Sequence, residues 1–278
     1  MKTNNQTWFI TGTSRGFGTI IAQAALAAGD NVIGTGRRAA DVVRALGASE
    51  RLLAVELDVT NEAAARAAVQ AGVERFGRID VLVNNAGFGI LGGVEETSAA
   101  DVEAVFRTNV FGLLGVTRAV LPQMRAQRSG HIVNLSSVGG YQSYPGWGVY
   151  CATKFAVEGL TEALALELAP LGIFATTVEP GFFRTDFLDA KSLTTARTSI
   201  PDYADTVGAM RTAMGQANHQ QPNDPAKIGP ALLRLVNHPR PPVRLPLGAD
   251  TVEAIEKKNA FVARELAAWR ETAISTAF

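Results

Sequence analysis

Tyr150 and Lys154 stand four residues apart, and Ser137 precedes the tyrosine by thirteen. Four residues is about one helical turn, so on a helix the phenol and the ammonium share a face and can meet. A nearby cation favours the phenolate and draws a tyrosine down from its ordinary pKa near 10. That would make Tyr150 a proton donor and acceptor near neutrality. A second group of residues, Thr11-Gly12-Thr13-Ser14-Arg15-Gly16-Phe17-Gly18, lies near the N-terminus. Glycines at such a turn let the backbone approach a pyrophosphate closely, and a helix opening there offers free N–H groups to phosphates. The implied chemistry is hydride transfer from a nicotinamide coupled to proton transfer at a tyrosine.

Neither signal is sufficient alone. With four tyrosines and six lysines in the chain, some Tyr-x-x-x-Lys pair arises by chance roughly one time in ten. The glycine spacing is G-x-x-x-G-x-G rather than G-x-G-x-x-G, and strand–glycine–helix turns also serve packing alone. The elements that would position these residues decide the matter. Seven apolar runs read as strands: Thr7–Thr11, Asn31–Thr35, Leu52–Leu57, Ile79–Asn84, His131–Ser136, Ile173–Val178 and Val243–Leu247. Most are apolar on both faces, as buried parallel strands are. Between them lie helical stretches such as Glu62–Phe76 and Tyr150–Leu168, and a run toward Arg128 that opens with the capping pair Ser98-x-x-Asp101. Pro122 is expected to bend or end that last helix.

This alternation predicts an α/β fold, a doubly wound parallel sheet of seven strands with helices on both faces. Without linker or repeat, residues 1–278 are read as one nucleotide-binding domain. The stretch 182–225 has no clear strand and reads as a substrate-binding loop or lid. Residues 251–278 form a C-terminal helical extension that either covers the sheet edge or meets another subunit. The glycine turn then follows the first strand, and Ser137 and Tyr150 lie at the carboxyl edge, where open α/β sheets bind ligands.

Composition restricts the function. Hydrophobic residues at 47% and charged residues at 19% are globular values. Basic and acidic residues balance at 26 each, so neither nucleic acid nor an anionic membrane is expected as a partner. The single cysteine, Cys151, rules out an internal disulfide framework and suits a reducing compartment. No apolar leader is seen at the N-terminus, nor an uninterrupted apolar run of roughly 18 residues, so a cytoplasmic location is expected. For the cofactor, NAD sites place an acid about 20 residues past the glycines. Here that region reads Gly34-Thr35-Gly36-Arg37-Arg38. Arg37, with Arg15 in the glycine loop, could pair with a 2′-phosphate; the alternative is a solvated arginine surface. NADP(H) is therefore expected in preference to NAD(H), and no metal.

The chain resembles the short-chain dehydrogenase/reductase family over about residues 7–250. The likeness rests on Thr11-Gly12-x-x-x-Gly16-x-Gly18, Asn84-Asn85-Ala86-Gly87, Asn109 in Thr108-Asn109-Val110, Ser137 with Tyr150-x-x-x-Lys154, and Pro180-Gly181. It implies a Rossmann fold and a homodimer or homotetramer formed through two long helices, one of them Tyr150–Leu168. Tyr150 is then the general acid or base, Lys154 lowers its pKa and holds the nicotinamide ribose, Ser137 binds the substrate oxygen, and Asn109 binds a water relaying protons to Lys154. Gly12, Ser14, Arg15, Gly16, Phe17 and Gly18 would face the cofactor, as would Asp58 and Val59 at the adenine, and Asn85, Ala86 and Gly87 along the ribose and diphosphate. Pro180 and Gly181 belong to the same surface, and Thr185 would hold the carboxamide.

Phe88, Tyr144, Trp147, Phe182, Phe183, Phe187 and Leu188 are candidates for a substrate pocket. Apolar walls around one polar centre suit a small-molecule ketone, aldehyde or secondary alcohol. A non-catalytic NADP-binding regulator on the same fold is the alternative, although it has no need of a serine, tyrosine and lysine together. Cys151 reads as a small packed residue.

Overall fold

The computed structural model describes residues 5–278. Strands β1 (Thr7–Ile10), β2 (Asn31–Gly36), β3 (Leu52–Glu56), β4 (Val81–Asn84), β6 (Gly130–Leu135), β7 (Ile173–Pro180) and β9 (Arg244–Leu247) form one parallel sheet in the order β3-β2-β1-β4-β6-β7-β9. Strands β5 (Gly89–Leu91) and β8 (Leu193–Thr195) pair separately. The helices are α1 (Gly16–Ala27), α2 (Ala39–Leu46), α3 (Glu62–Phe76), α4 (Ala99–Phe106), α5 (Leu113–Gln127), α6 (Gly148–Leu168), α7 (Ala209–Ala217), α8 (Ile228–Val236) and α9 (Ala249–Ile274).

Period-two side-chain alternation sorts each strand between two cores. Phe9, Leu82 and Ile132 pack with α3, α5 and the end of α6, whereas Trp8, Ile10, Val81, Val83, Val133 and Leu135 pack with α1 and α8. Both faces of the sheet are thus covered, which is why the strands read as apolar throughout. The strand order reverses between β1 and β4, and the crevice of a doubly wound sheet opens at such a point.

Local signals account for several helix ends. Ser98 Oγ accepts from Asp101 N at 3.2 Å and Asn61 Oδ1 accepts from Ala64 N at 3.0 Å. Other expectations are corrected. Pro122 does not end its helix; α5 runs through it to Gln127. Buried Val116, Val120 and Met124 on that helix outweigh a lost backbone bond and a proline cost of about 3 kcal/mol. The helix instead changes winding between α4 and α5, where Arg107–Gly112 form a π-helical turn. By length and composition the run Ala99–Gln127 would suffice to cross a membrane, but half of its most apolar window is buried inside the protein, as in a core helix.

The stretch after Gly181 does contain a strand. The three residues of β8 pair with β5 in register Gly89↔Leu193, Ile90↔Thr194 and Leu91↔Thr195. Three residues are too few for a pattern, so this strand exists only through its partner. The C-terminal helix α9 leaves the sheet after its first turns: Thr251 is buried, while Val262, Leu266 and Trp269 are 47%, 57% and 68% exposed.

Candidate active site

The glycine turn after β1 is built for close backbone approach. Gly12 and Gly16 have φ of 72° and 59°, the left-handed region that favours glycine. Gly18 has an ordinary φ, but a Cβ there would fall 2.2 Å from the Gly12 carbonyl oxygen. Helix α1 opens with no side-chain cap and no acid in its first turn, leaving its N–H groups and positive end open to an anion. These features fit a dinucleotide diphosphate. Phe17 turns inward, meeting Phe183 edge-on at 5.3 Å between ring centroids. Ser14 is exposed.

The turn after β4 is tied directly to this loop. Thr11 Oγ1 accepts from both Asn85 N and Ala86 N at 2.9 Å, and Asn85 Nδ2 donates to Thr11 O at 2.8 Å and Gly12 O at 3.1 Å. The two turns on either side of the strand reversal therefore behave as one surface. At its far end, a Cβ on Gly87 would lie 3.0 Å from Asn109 Oδ1 and 3.9 Å from Lys154 Nζ. The Asn109 amide accepts from Phe88 N at 3.1 Å and donates to Phe88 O at 2.9 Å and Thr153 Oγ1 at 3.2 Å. Its side chain is committed to holding that turn against α6.

Ser137 follows β6 and caps a short 3₁₀ turn, its Oγ accepting from Gly139 N at 3.0 Å. Tyr150 lies in the first turn of α6, 8% exposed, and its ring adjoins Ser137: a Cβ on Gly139 would lie 3.4 Å from Ser137 Oγ and 3.5 Å from Tyr150 Cε1. Lys154 Nζ donates to Leu135 O at 2.8 Å and sits 5.7 Å from the Tyr150 ring centroid. All three residues thus share the carboxyl end of β6. The expected electrostatics are reversed, however. Burial raises the Tyr150 pKa, and the neighbouring Ser137 hydroxyl offsets this only in part. Burial likewise pushes Lys154 down to about 8, with Glu158 pulling the other way. Desolvation is the largest influence on both members of the pair.

The apolar candidates divide. Phe88, Tyr144, Trp147, Phe187 and Leu188 join Tyr150, Leu193, Met210 and Met214 in one cluster. Trp147 and Phe187 rings lie 5.6 and 5.7 Å from that of Tyr150. Phe183 packs on Phe17 instead, and Phe182 is held by its backbone. Tyr144 also borders an open cavity of about 570 Å³ whose walls include Val94, Pro145, Tyr203 and Val207. Cys151 is buried against Gly139, and burial raises its thiol pKa, as suits a packing residue.

The segment after β7 is anchored by side chains that the sequence reading missed. Asp250 Oδ2 accepts from Phe182 N at 2.7 Å, and Asn223 Nδ2 donates to Asp250 Oδ1 at 2.8 Å and Phe182 O at 3.0 Å. A Cβ on Gly181 would fall 2.2 Å from Asp250 Oδ2, which accounts for glycine after Pro180. Glu96 accepts from Gly93 N and Ile200 N and pairs with Arg211. An acid flanked by Glu95 and Thr97 gives no local sign of such burial. Thr185 Oγ1 accepts from Phe187 N at 3.3 Å and caps a short turn.

Arg15, expected at a 2′-phosphate, donates to the Lys191 carbonyl and so joins the glycine loop to this segment. Arg38 is engaged by Asp41. Arg37 is exposed at the end of β2 and makes no side-chain hydrogen bond among the described residues. Asp58 Oδ1 accepts from Thr60 N at 2.9 Å and Thr60 Oγ1 at 2.8 Å, forming the turn after β3, with Val59 packed against Gly112.

A family model described as short chain dehydrogenase matches residues 6–196. The chain is 39% identical over 272 residues to Oxidoreductase BOA17 of Botryotinia fuckeliana, covering 97% of this chain and 98% of that protein. It is 40% identical over 239 residues to 3-ketodihydrosphingosine reductase of Bacteroides thetaiotaomicron, covering 86% of each. A solved short-chain dehydrogenase from Streptomyces avermitilis superposes with a TM-score of 0.90 at 41% identity, over 99% of this chain and 100% of that one. Relatives at 26% identity have been solved with either dinucleotide. One from Burkholderia phymatum is in complex with NAD (TM-score 0.82, 95% and 96% covered), and ElxO has NADP bound (TM-score 0.74, 90% and 100% covered).

Proposed function

This chain belongs to the short-chain dehydrogenase/reductase family, and we propose that it is an NADP(H)-dependent oxidoreductase interconverting an apolar ketone or aldehyde with its alcohol. The observation that supports this best is the approach of Tyr150, Ser137 and Lys154 at the end of β6, beside a glycine loop shaped for a diphosphate. The bound nicotinamide supplies or accepts the hydride. Ser137 steadies the substrate oxygen, and Tyr150 delivers its proton to that oxygen in reduction. A phenol whose pKa is raised by burial keeps that proton at neutral pH, as a proton donor must. In oxidation Tyr150 is the base, and Ser137 and the Lys154 ammonium must then favour its phenolate.

Lys154 also holds the nicotinamide ribose. Asn109 braces the Gly87–Phe88 turn, and the family resemblance gives it an ordered water on the path from Lys154. NADP is preferred because Arg37 lies exposed at the end of β2, where Arg37-Arg38 stand in place of an acid. Thr185 and the Pro180–Gly181 turn would face the carboxamide. Residues 182–225 form a lid within one nucleotide-binding domain. Phe88, Tyr144, Trp147, Phe187 and Leu188 line an apolar substrate space, as suits a lipid-like carbonyl. The names of two relatives support that class: 3-ketodihydrosphingosine reductase, and Retinol dehydrogenase 8 of Bos taurus, 40% identical over 177 residues. A homo-oligomer built through α5 and α6 would cover exposed Phe111, Phe155 and Leu166.

The test is NADPH oxidation against long-chain ketones and aldehydes, with wild type and Tyr150→Phe. Turnover by the wild type and a loss of about 10²–10⁴-fold in the variant are expected. Undiminished turnover in the variant overturns the role of Tyr150, and tight NADPH binding without turnover on any carbonyl overturns the enzyme reading.

A further inference from the structure

Glu158 and Glu179 are 3% and 0% exposed, and the chemistry above uses neither. Glu158 stands on α6 one turn beyond Lys154; Glu179 lies near the end of β7. Their carboxyl groups converge on a single nitrogen. Arg244 Nη1, from β9, donates to Glu158 Oε2 at 2.7 Å and to Glu179 Oε1 at 2.9 Å, while its Nη2 donates to Glu162 Oε1 at 2.8 Å on the outer side. Glu158 Oε1, Glu179 Oε2 and the hydroxyl of buried Ser136 have no hydrogen-bond partner. A Cβ on Gly140 would fall 2.4 Å from Ser136 Oγ and 2.9 Å from Glu158 Oε1, so hydroxyl and carboxyl share one small space behind the Ser137 turn.

Two ionised carboxylates here would set two buried negative charges chiefly against one guanidinium and leave oxygens without donors, a costly arrangement. A single proton removes one charge and supplies a donor. The charged and titratable groups around Glu158 are Lys154 and Glu162 on α6, Glu179 on β7, Arg244 on β9, and Tyr141, over whose ring Arg244 lies at 5.4 Å. We propose that Glu158 and Glu179 hold one proton between them, and that Glu158 is thereby a positioning residue that sets the charge of Lys154 across the neutral range.

Burial, opposed by the adjacent Ser136 hydroxyl and reinforced by Glu179, pushes Glu158 up to about 7. Below that pH the pair carries one negative charge, balanced by Arg244. Above it the shared proton passes to solvent on the Arg244 side, where that side chain is 31% exposed. Two carboxylates then face one guanidinium, and the added charge lies one turn from Lys154. That charge opposes the effect of burial on Lys154, so its ammonium persists to higher pH than burial alone would allow. The consequence for turnover rests on the oxidoreductase reading; the proton pair does not.

The test uses the full-length, cofactor-free protein. The infrared band of a protonated carboxyl group reports the pair, and ¹⁵N NMR of the Lys154 side chain reports its titration. Wild type is expected to show the band at about pH 6 and to lose it by about pH 9. Glu158→Gln should abolish the band and move the Lys154 titration down by about one pH unit. Glu179→Gln should also abolish the band, because Glu158 then ionises beside Arg244, but without lowering the Lys154 titration. A merely structural role would move Lys154 the same way in both variants. That result, or a wild type without the band, overturns the proposal. If Glu158→Gln fails to fold, the wild-type spectrum and Glu179→Gln still decide. In turnover, the alkaline limb of kcat/KM should follow Lys154 downward in Glu158→Gln. Absence of turnover in the wild type would count against the oxidoreductase reading alone.

Discussion

The Glu96 carboxylate, 1% exposed as a side chain, meets the Arg211 guanidinium at 2.7 Å. Its other oxygen accepts from Ile200 N at 2.8 Å. Two distant parts of the 182–225 segment therefore hang from one buried side chain next to β5. The backbone bond from Ile200, then that from Gly93, and the Arg211 charge hold the Glu96 pKa below the ordinary carboxylate range.

Glu96→Ala leaves two backbone groups without their acceptor and Arg211 with only the Thr198 carbonyl, a cost of roughly 1–3 kcal/mol. Because Arg211 and Ile200 belong to the segment that also carries Phe187 and Leu193, the expected result is a rise in KM of about tenfold with a smaller change in kcat. Limited proteolysis should also cut residues 197–212 faster. Unchanged KM and unchanged cleavage would show that this pair does not hold the substrate segment.

Gly18→Ala sets a methyl group 2.2 Å from the Gly12 carbonyl oxygen, so the glycine turn must open. NADPH affinity measured by calorimetric titration should fall by tenfold or more, on the order of 1.4 kcal/mol at least. Gly16→Ala is the control: its φ is 59° but no atom lies within 4 Å of an added Cβ, so the cost is local strain of about 1–2 kcal/mol. Equal losses in the two variants would argue against the steric account.

Arg37→Ala removes an exposed guanidinium at the end of β2. A charge-assisted bond to a 2′-phosphate contributes about 1.5–3 kcal/mol, so NADPH binding should weaken by roughly tenfold or more while NADH binding stays within about twofold. Equal weakening of both would reject the 2′-phosphate assignment.

Two buried groups give stability slopes of opposite sign with pH. His131, whose ring lies 2.9 Å from Thr176 Oγ1, is pushed by burial from 6.5 down to about 4. The unfolded chain binds the proton first, so this contribution is complete above about pH 6.5 and is lost as pH falls toward 4, by up to about 3 kcal/mol. Glu158 is pushed from 4.5 up to about 7, so its contribution is complete below about pH 4.5 and is lost as pH rises toward 7. The two slopes oppose each other between about pH 4.5 and 6.5. In urea unfolding, Glu158→Gln should therefore make stability climb more steeply with pH across that window, and His131→Gln should make it fall. Parallel curves for wild type and both variants would refute the assignment.

Much of this protein was legible in its sequence. Apolar runs of strand length alternating with helical periodicity specified the seven-stranded parallel sheet. The Ser98–Asp101 cap and the glycine turn declared themselves by residue type, and a four-residue spacing set Tyr150 and Lys154 on one helix face. These are local properties, encoded within a few residues of where they act.

What only the tertiary structure decided depends on segments far apart in the chain. Spacing put a cation near the Tyr150 phenol and so suggested a lowered pKa, but β6, Trp147 and Phe187 desolvate tyrosine and lysine alike and reverse that effect. Arg15 turned out to be engaged by the Lys191 carbonyl 176 residues away. The strand β8 exists because β5 lies beside it. Glu96, Asp250 and the Glu158–Glu179–Arg244 cluster look like ordinary polar residues until folding surrounds them. Desolvation and long-range pairing are sums over everything packed around an atom. A sequence states which side chains are available for that sum, and the fold determines its value.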